Sequence, residues 1–87
     1  MLFIFNKIID NPILLECIQQ DDAIILIEDG VYNLAKPGFI EQINSEQCYG
    51  LSADIIARQI NITDKITLAN YHDFVELCAQ HEKICQL

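Results

Sequence analysis

The sequence predicts an α/β fold, a small three-layer sandwich in which a mainly parallel sheet of about four strands is flanked by helices. Three observations lead there. Strand-like and helix-like patterns alternate along the whole chain, as in successive βαβ units. The run from Ala23 to Ile27 is apolar without alternation, which suits a strand covered on both faces rather than one. Of the 87 residues, 52% are hydrophobic and 21% charged, enough apolar matter for a core on both sides of a sheet.

Residues 2–5, LFIF, read as a short buried strand. Asn11 followed by Pro12 matches an N-cap with proline in the first helical position, so a helix is expected from about 12 to 20. Along it Leu14, Cys17 and Ile18 recur at i, i+3 and i+4, giving an apolar face and leaving Glu16, Gln19 and Gln20 for water. The strand Ala23–Ile27 follows and takes a central place. Asp29 and Gly30 supply structural turn chemistry at its carboxyl end, with Asp29 expected to cap a short helix through Val31, Tyr32 and Leu34.

Lys36, Pro37 and Gly38 break that helix, Phe39 to Ile43 form one more turn, and Gln47 to Leu51 form a third strand. Ser52 reads as an N-cap with Asp54 in the first turn, for a helix carrying Ile55, Ile56 and Ile60. A last short strand, roughly Ile66 to Leu68, leads to Asn70 and Asp73, a capping-box pair with Asp in place of the usual Glu. The helix behind it carries Tyr71, Phe74, Val75 and Cys78 at i, i+3, i+4 and i+7. No repeat or low-complexity linker interrupts the pattern, so residues 1–87 are expected to form a single domain.

Composition removes several function classes. Thirteen acidic residues against five basic ones give a formal charge of −8, and no run of Lys or Arg is present to neutralise phosphates, so direct nucleic-acid binding is not expected. No apolar run approaches the roughly 18–20 residues of a membrane span. MLFIF has no basic segment before it, and Lys7 and Asp10 interrupt it, so a cytoplasmic protein is expected rather than a secreted one. Cys17, Cys48, Cys78 and Cys85 contain no C-x-x-C pair and are expected as reduced thiols. A chain this short buries only about 60–65% of its unfolded surface, so the apolar surplus points to association with other chains, or to self-association when isolated.

The candidate chemistry is thin. Asn6 to Asn11, the loop after the first strand, has no Gly, Ser or Thr to meet a phosphate, so no nucleotide or flavin cofactor is expected. Asp10 and Asp29 alone do not make a phosphoacceptor cluster. Cys78, His81 and Cys85 form a C-x2-H-x3-C run, but three ligands without a fourth, one of them on an apolar stripe, read as packing rather than as a metal site. His72 has no Ser or Cys partner that would make it a catalytic base. Glu28 and Asp29, as consecutive strand residues, point to opposite faces and do not form an acid-base pair. No catalytic residue is assigned. Cys17 is read chiefly as a small buried hydrophobe, with sulfur chemistry as the other reading, and Cys48 as core or interface.

Three segments in order, IEDGVY, CYGLSADIIARQI and ITLANYHDFVELC, resemble the TusB/DsrH family, small subunits of sulfur-relay complexes, over nearly the whole chain. The resemblance implies a DsrEFH-like fold and a non-catalytic, accessory role. It implies assembly with TusC-like and TusD-like sister subunits as a dimer of heterotrimers. The TusD-like sister carries the relay's principal persulfide, receiving sulfur from a TusA-like carrier and passing it toward a TusE-like one for 2-thiolation of wobble uridine in tRNA. DsrH-type relatives serve dissimilatory sulfur oxidation. Some carry a cysteine on the first helix, which gives Cys17, in the similar context LLECI, a claim to handle sulfur.

Overall fold

The computed structural model describes residues 1–11 and 13–86. Five strands, β1 (Leu2–Phe5), β2 (Ala23–Leu26), β3 (Gln47–Leu51), β4 (Thr67–Ala69) and β5 (Ile84–Gln86), form one sheet in the order β4-β3-β2-β1-β5. Every pairing is parallel, with Leu2 opposite Ala23 and Ile84, and Tyr49 opposite Thr67. The helices are α1 (Ile13–Glu16), α2 (Phe39–Gln42), α3 (Ser52–Ala57) and α4 (Tyr71–Gln80), with a 3-10 helix over Glu28–Ala35.

From β1 to β4 each crossover steps the same way across the sheet, and only the return from β4 to β5 reverses. Right-handed crossovers therefore place the first three connections on one face and α4 alone on the other. The cores follow that division. Phe3, Phe5, Ile24 and Leu26 pack with Leu15, Val31, Phe39 and Ile55 on the first face. Leu2, Ile4, Ala23 and Ile25 pack with Leu77, Phe74 and Cys78 on the second. All eight residues of β1 and β2 are buried, which accounts for the absence of alternation in their sequence.

The fifth strand was absent from the sequence reading, because three residues, two of them exposed, carry no periodic signal and gain their hydrogen bonds only from β1. The first helix is shorter than expected. It closes at Glu16, and the next turn tightens through the Ile18 N–H to Leu15 O bond. Leu15 in the helix and Ile18 in that turn are buried, and Cys17, expected to pack, is exposed. Pro12 lies outside the described residues, while Asn11 does accept the Ile13 N–H through Oδ1 at 3.0 Å. Ser52 is the first residue of α3 rather than its cap, Leu51 taking the N-cap without a side-chain bond. Ile56, expected on the core face, is 74% exposed, because α3 turns Ile55 inward and the adjacent Ile56 away from the core.

The capping box before α4 forms as read. Asn70 Oδ1 accepts the Asp73 N–H at 2.8 Å, and Asp73 Oδ2 accepts the Asn70 N–H at 3.0 Å, a cap that contributes about 1 kcal/mol. The helix is rotated from the expected stripe. Leu77 is its buried residue, whereas Tyr71 and Val75 are 63% and 66% exposed.

Two features hold the connections to the sheet. Gly30 lies so close to the end of β1 that a Cβ there would sit 1.9 Å from the Phe5 carbonyl oxygen. Asp22, buried before β2, accepts the Gln19 N–H through Oδ2 at 2.8 Å and the Met1 ammonium through Oδ1 at 3.0 Å. Ser45 donates its hydroxyl to the Asp22 carbonyl and so ties the α2–β3 connection to the same corner.

Gly30→Ala is expected to lower stability by at least ~2 kcal/mol, since the clash is with backbone that cannot rotate away, and urea unfolding will measure it. The Gln19 hydrogen bond first, and then the Met1 ammonium, outweigh burial and hold the Asp22 carboxyl below its ordinary value. Its contribution to stability is thus complete above the unfolded carboxylate pKa, roughly 4, and disappears as pH falls through the lower folded value. Urea midpoints of wild type and Asp22→Asn should therefore differ at pH 7 and converge at the acid end of a pH series.

Candidate functional site

The four thiols occupy four different environments. Cys17 follows the last residue of α1 and is exposed, its Sγ making only a long contact of 3.8 Å to the Ile13 carbonyl. Cys48 lies in β3 under the first-face core, where burial pushes its thiol up to about 12 and keeps it protonated. Cys78 and Cys85 are half-buried on opposite sides of the sheet, Cys78 against the α4 core and Cys85 against the other. The C-x2-H-x3-C run is thereby split by the sheet itself. His72, exposed on α4, pairs with Glu76 at 3.0 Å, one turn away on the same helix, which makes it a surface residue.

At the carboxyl ends of β2 and β3 the strand-end carboxylates are organised, though not as the sequence suggested. Asp29 does not cap a helix. The N-cap position belongs to Ile27, in extended conformation and without a side-chain bond, and Asp29 lies within the first turn. Its Oδ1 accepts from Arg58 Nε at 3.2 Å and Nη2 at 3.1 Å, while Asp54 Oδ1 accepts from Arg58 Nη1 at 3.3 Å. Asp54 Oδ2 also takes the Glu28 N–H at 2.7 Å. The guanidinium lies 5.8 Å from the centre of the Tyr32 ring. Burial would lower the Arg58 pKa, but the Asp29 hydrogen bond and the Asp29 and Asp54 charges prevail and raise it.

This cluster is a clamp between the 3-10 helix and α3. Glu28 supports that reading, because it holds a left-handed φ of 49°, a conformation that a non-glycine residue keeps only when held by its surroundings. The left-handed residue of the turn is thus Glu28, and Gly30 is required for its closeness to β1 instead. Arg58, the chain's one arginine, was not linked to Asp29 by sequence reading because 29 residues separate them.

A second buried residue escaped the sequence reading. Asn33 is fully buried in the 3-10 helix, with Oδ1 accepting the Ile9 N–H at 2.9 Å and Nδ2 donating to the carbonyls of Gly30 at 2.8 Å and Lys7 at 3.1 Å. Every polar atom of its amide is used, as burial demands. Lys36 adds a bond from Nζ to the Ile9 carbonyl. The loop after β1 is shaped by these contacts, and a cavity of about 260 Å³ opens there, lined by Phe5, Lys7, Ile9, Asn11 and Leu14 among others. It lies near the reversal of strand order between β1 and β5, a usual ligand position in α/β sheets, but Cys17 is not among its walls. The structure thus brings together Asp29, Asp54 and Arg58 and leaves Cys17 apart from them, with no acid or base among the described residues bonded to it.

Comparison with known proteins gives one consistent picture. The family model described as "DsrH like protein" matches residues 9–84. Protein TusB of Salmonella dublin and of Salmonella enteritidis PT4 are each 34% identical over 79 residues, spanning 84% of this chain and 82% of theirs. Protein TusB of Salmonella arizonae is 33% identical over the same length. Protein Tm0979 from Thermotoga maritima, solved by solution NMR, shares the fold with a TM-score of 0.64 over 95% of this chain and 97% of its own, at 24% identity.

Exposure ranks the thiols clearly. Under native conditions iodoacetamide should alkylate Cys17 first and Cys48 only after unfolding, with peptide mass spectrometry reading the order. Labelling of Cys48 in step with Cys17 would contradict the buried position of β3.

Proposed function

The chain belongs to the DsrH-like family, and from that premise we propose that it is an accessory subunit of a cytoplasmic sulfur-relay complex supporting 2-thiolation of wobble uridine in tRNA. Its partners in this reading are TusC-like and TusD-like subunits in a dimer of heterotrimers. TusA-like and TusE-like carriers act before and after the complex. The observation that carries the reading is the family match over residues 9–84, joined by the name shared by its curated relatives.

The surface agrees with life in an assembly. Tyr71 and Val75 are left outward on α4, and Ile56 on α3. Large side chains in water at that level are what a subunit buries against a neighbour.

A second reading, in which the chain itself handles sulfur as in dissimilatory oxidation complexes, is favoured by one observation, the exposure of Cys17. In that reaction the Cys17 thiolate attacks the outer sulfur of a donor persulfide. A new S–S bond forms at Cys17, the donor's S–S bond breaks, and the donor leaves as a thiolate with no net oxidation or reduction. The buried, protonated Cys48 thiol is unsuited to such an attack.

Co-expression of the chain with the TusC-like and TusD-like proteins of its own genome tests both readings. The accessory role predicts a complex that co-purifies and accepts sulfur from a persulfide donor equally well when Cys17 is Ser. Sulfur on Cys17 in wild type, absent from Cys17→Ser by mass spectrometry, transfers the assignment to the second reading. Failure of the three chains to co-purify removes the relay reading.

A further inference from the structure

We propose that the cavity at the amino ends of β3 and β4 is a socket for one basic side chain, lysine or arginine, presented by a partner polypeptide. It arises from unequal strand lengths. β4 pairs with β3 only from Tyr49 onward, so Gln47 and Cys48 have no partner on that side. The chain entering β4 is turned there by the Ile66 N–H to Thr63 O bond instead of extending the sheet. A space of about 400 Å³ remains between that turn and the α2–β3 connection.

The chemistry of its walls is divided. Ile40 and Ile43, both packed against the core, and the buried Cys48 give it an apolar lining. Glu41, Glu46 and Asp64, all exposed, line the same space, with Lys65 as the opposing charge. None of the three carboxylates lies in an ion pair among the described residues. Two uncompensated negative charges therefore sit beside an aliphatic surface.

Charge complementarity selects the occupant. Phosphates and acidic peptides are repelled. A bare divalent ion is disfavoured too, since among the described residues no three His, Cys, Asp or Glu side chains gather as a ligand set. An amphipathic cation satisfies both parts of the wall, its methylene stem against Ile40 and Ile43 and its charged head among the carboxylates. At the lower end of the volumes that hold small ligands, the space is scaled to a side chain rather than to a nucleotide cofactor. The proposal does not depend on which assembly the chain joins.

Butylguanidinium, an arginine side chain carried through its α-carbon, is the probe, with butylurea as its uncharged counterpart. In ¹⁵N NMR titrations of the full chain, butylguanidinium should shift the amides of Ile43, Ser45, Cys48 and Thr67 saturably, and butylurea should not. The pair Glu46→Gln and Asp64→Asn should weaken the interaction by about three- to tenfold, and added salt should weaken it in wild type. The exposed pair Glu16→Gln and Glu82→Gln serves as control and should leave it unchanged. Equal shifts with butylurea, shifts spread over the whole acidic surface, no saturable shifts, or undiminished binding by the socket variant would each overturn the proposal.

Discussion

Two adjacent strands that must be dry on both faces govern this molecule. Leu2, Phe3, Ile4 and Phe5 lie beside Ala23, Ile24, Ile25 and Leu26, and none of the eight touches much water. Fully burying a large aliphatic or aromatic side chain contributes about 1.5–3 kcal/mol. Removing the cover from either face would therefore forfeit most of what stabilises so small a domain. Helices are needed on both sides, and a chain of this length provides them unequally. Three connections line one face, and α4 alone spans the other.

The ends of the strands are secured by polar groups whose partners are distant in sequence. Asn33 holds the loop after β1 from within the 3-10 helix, Arg58 ties that helix to α3, and Asp22 gathers Gln19 and Met1. A 3-10 helix of eight residues is longer than its hydrogen-bond geometry ordinarily sustains. Its length here is explained by what grips it, Asn33 from below and Arg58 from the side. The same grip positions Glu28 in a left-handed conformation and presses Gly30 onto the backbone of β1. The acidic, glycine-containing end of β2 is thus a joint between layers.

Burial grades the four thiols from exposed to inaccessible. The sheet separates Cys78 from Cys85, and Cys48 is held neutral beneath the first face. Cys17 is the exposed one, because α1 closes one residue before it. Accessibility here is set by where a helix ends rather than by any local motif.

The alternation of strands and helices, the doubly covered β2, the third strand at Gln47–Leu51 and the capping box at Asn70 and Asp73 were legible in the sequence, because each rests on contacts between near neighbours or on hydropathy alone. Family membership was legible for the same reason, in three short segments that keep their order. The fifth strand, the orientation of α4, the exposure of Cys17 and the pairing of Asp29 with Arg58 were decided only by the tertiary structure. A three-residue edge strand exists because β1 offers it an edge, and a helix turns its face by what it packs against. Residues 29 and 58 meet because β2 and β3 lie side by side, a fact that spacing along a chain does not encode.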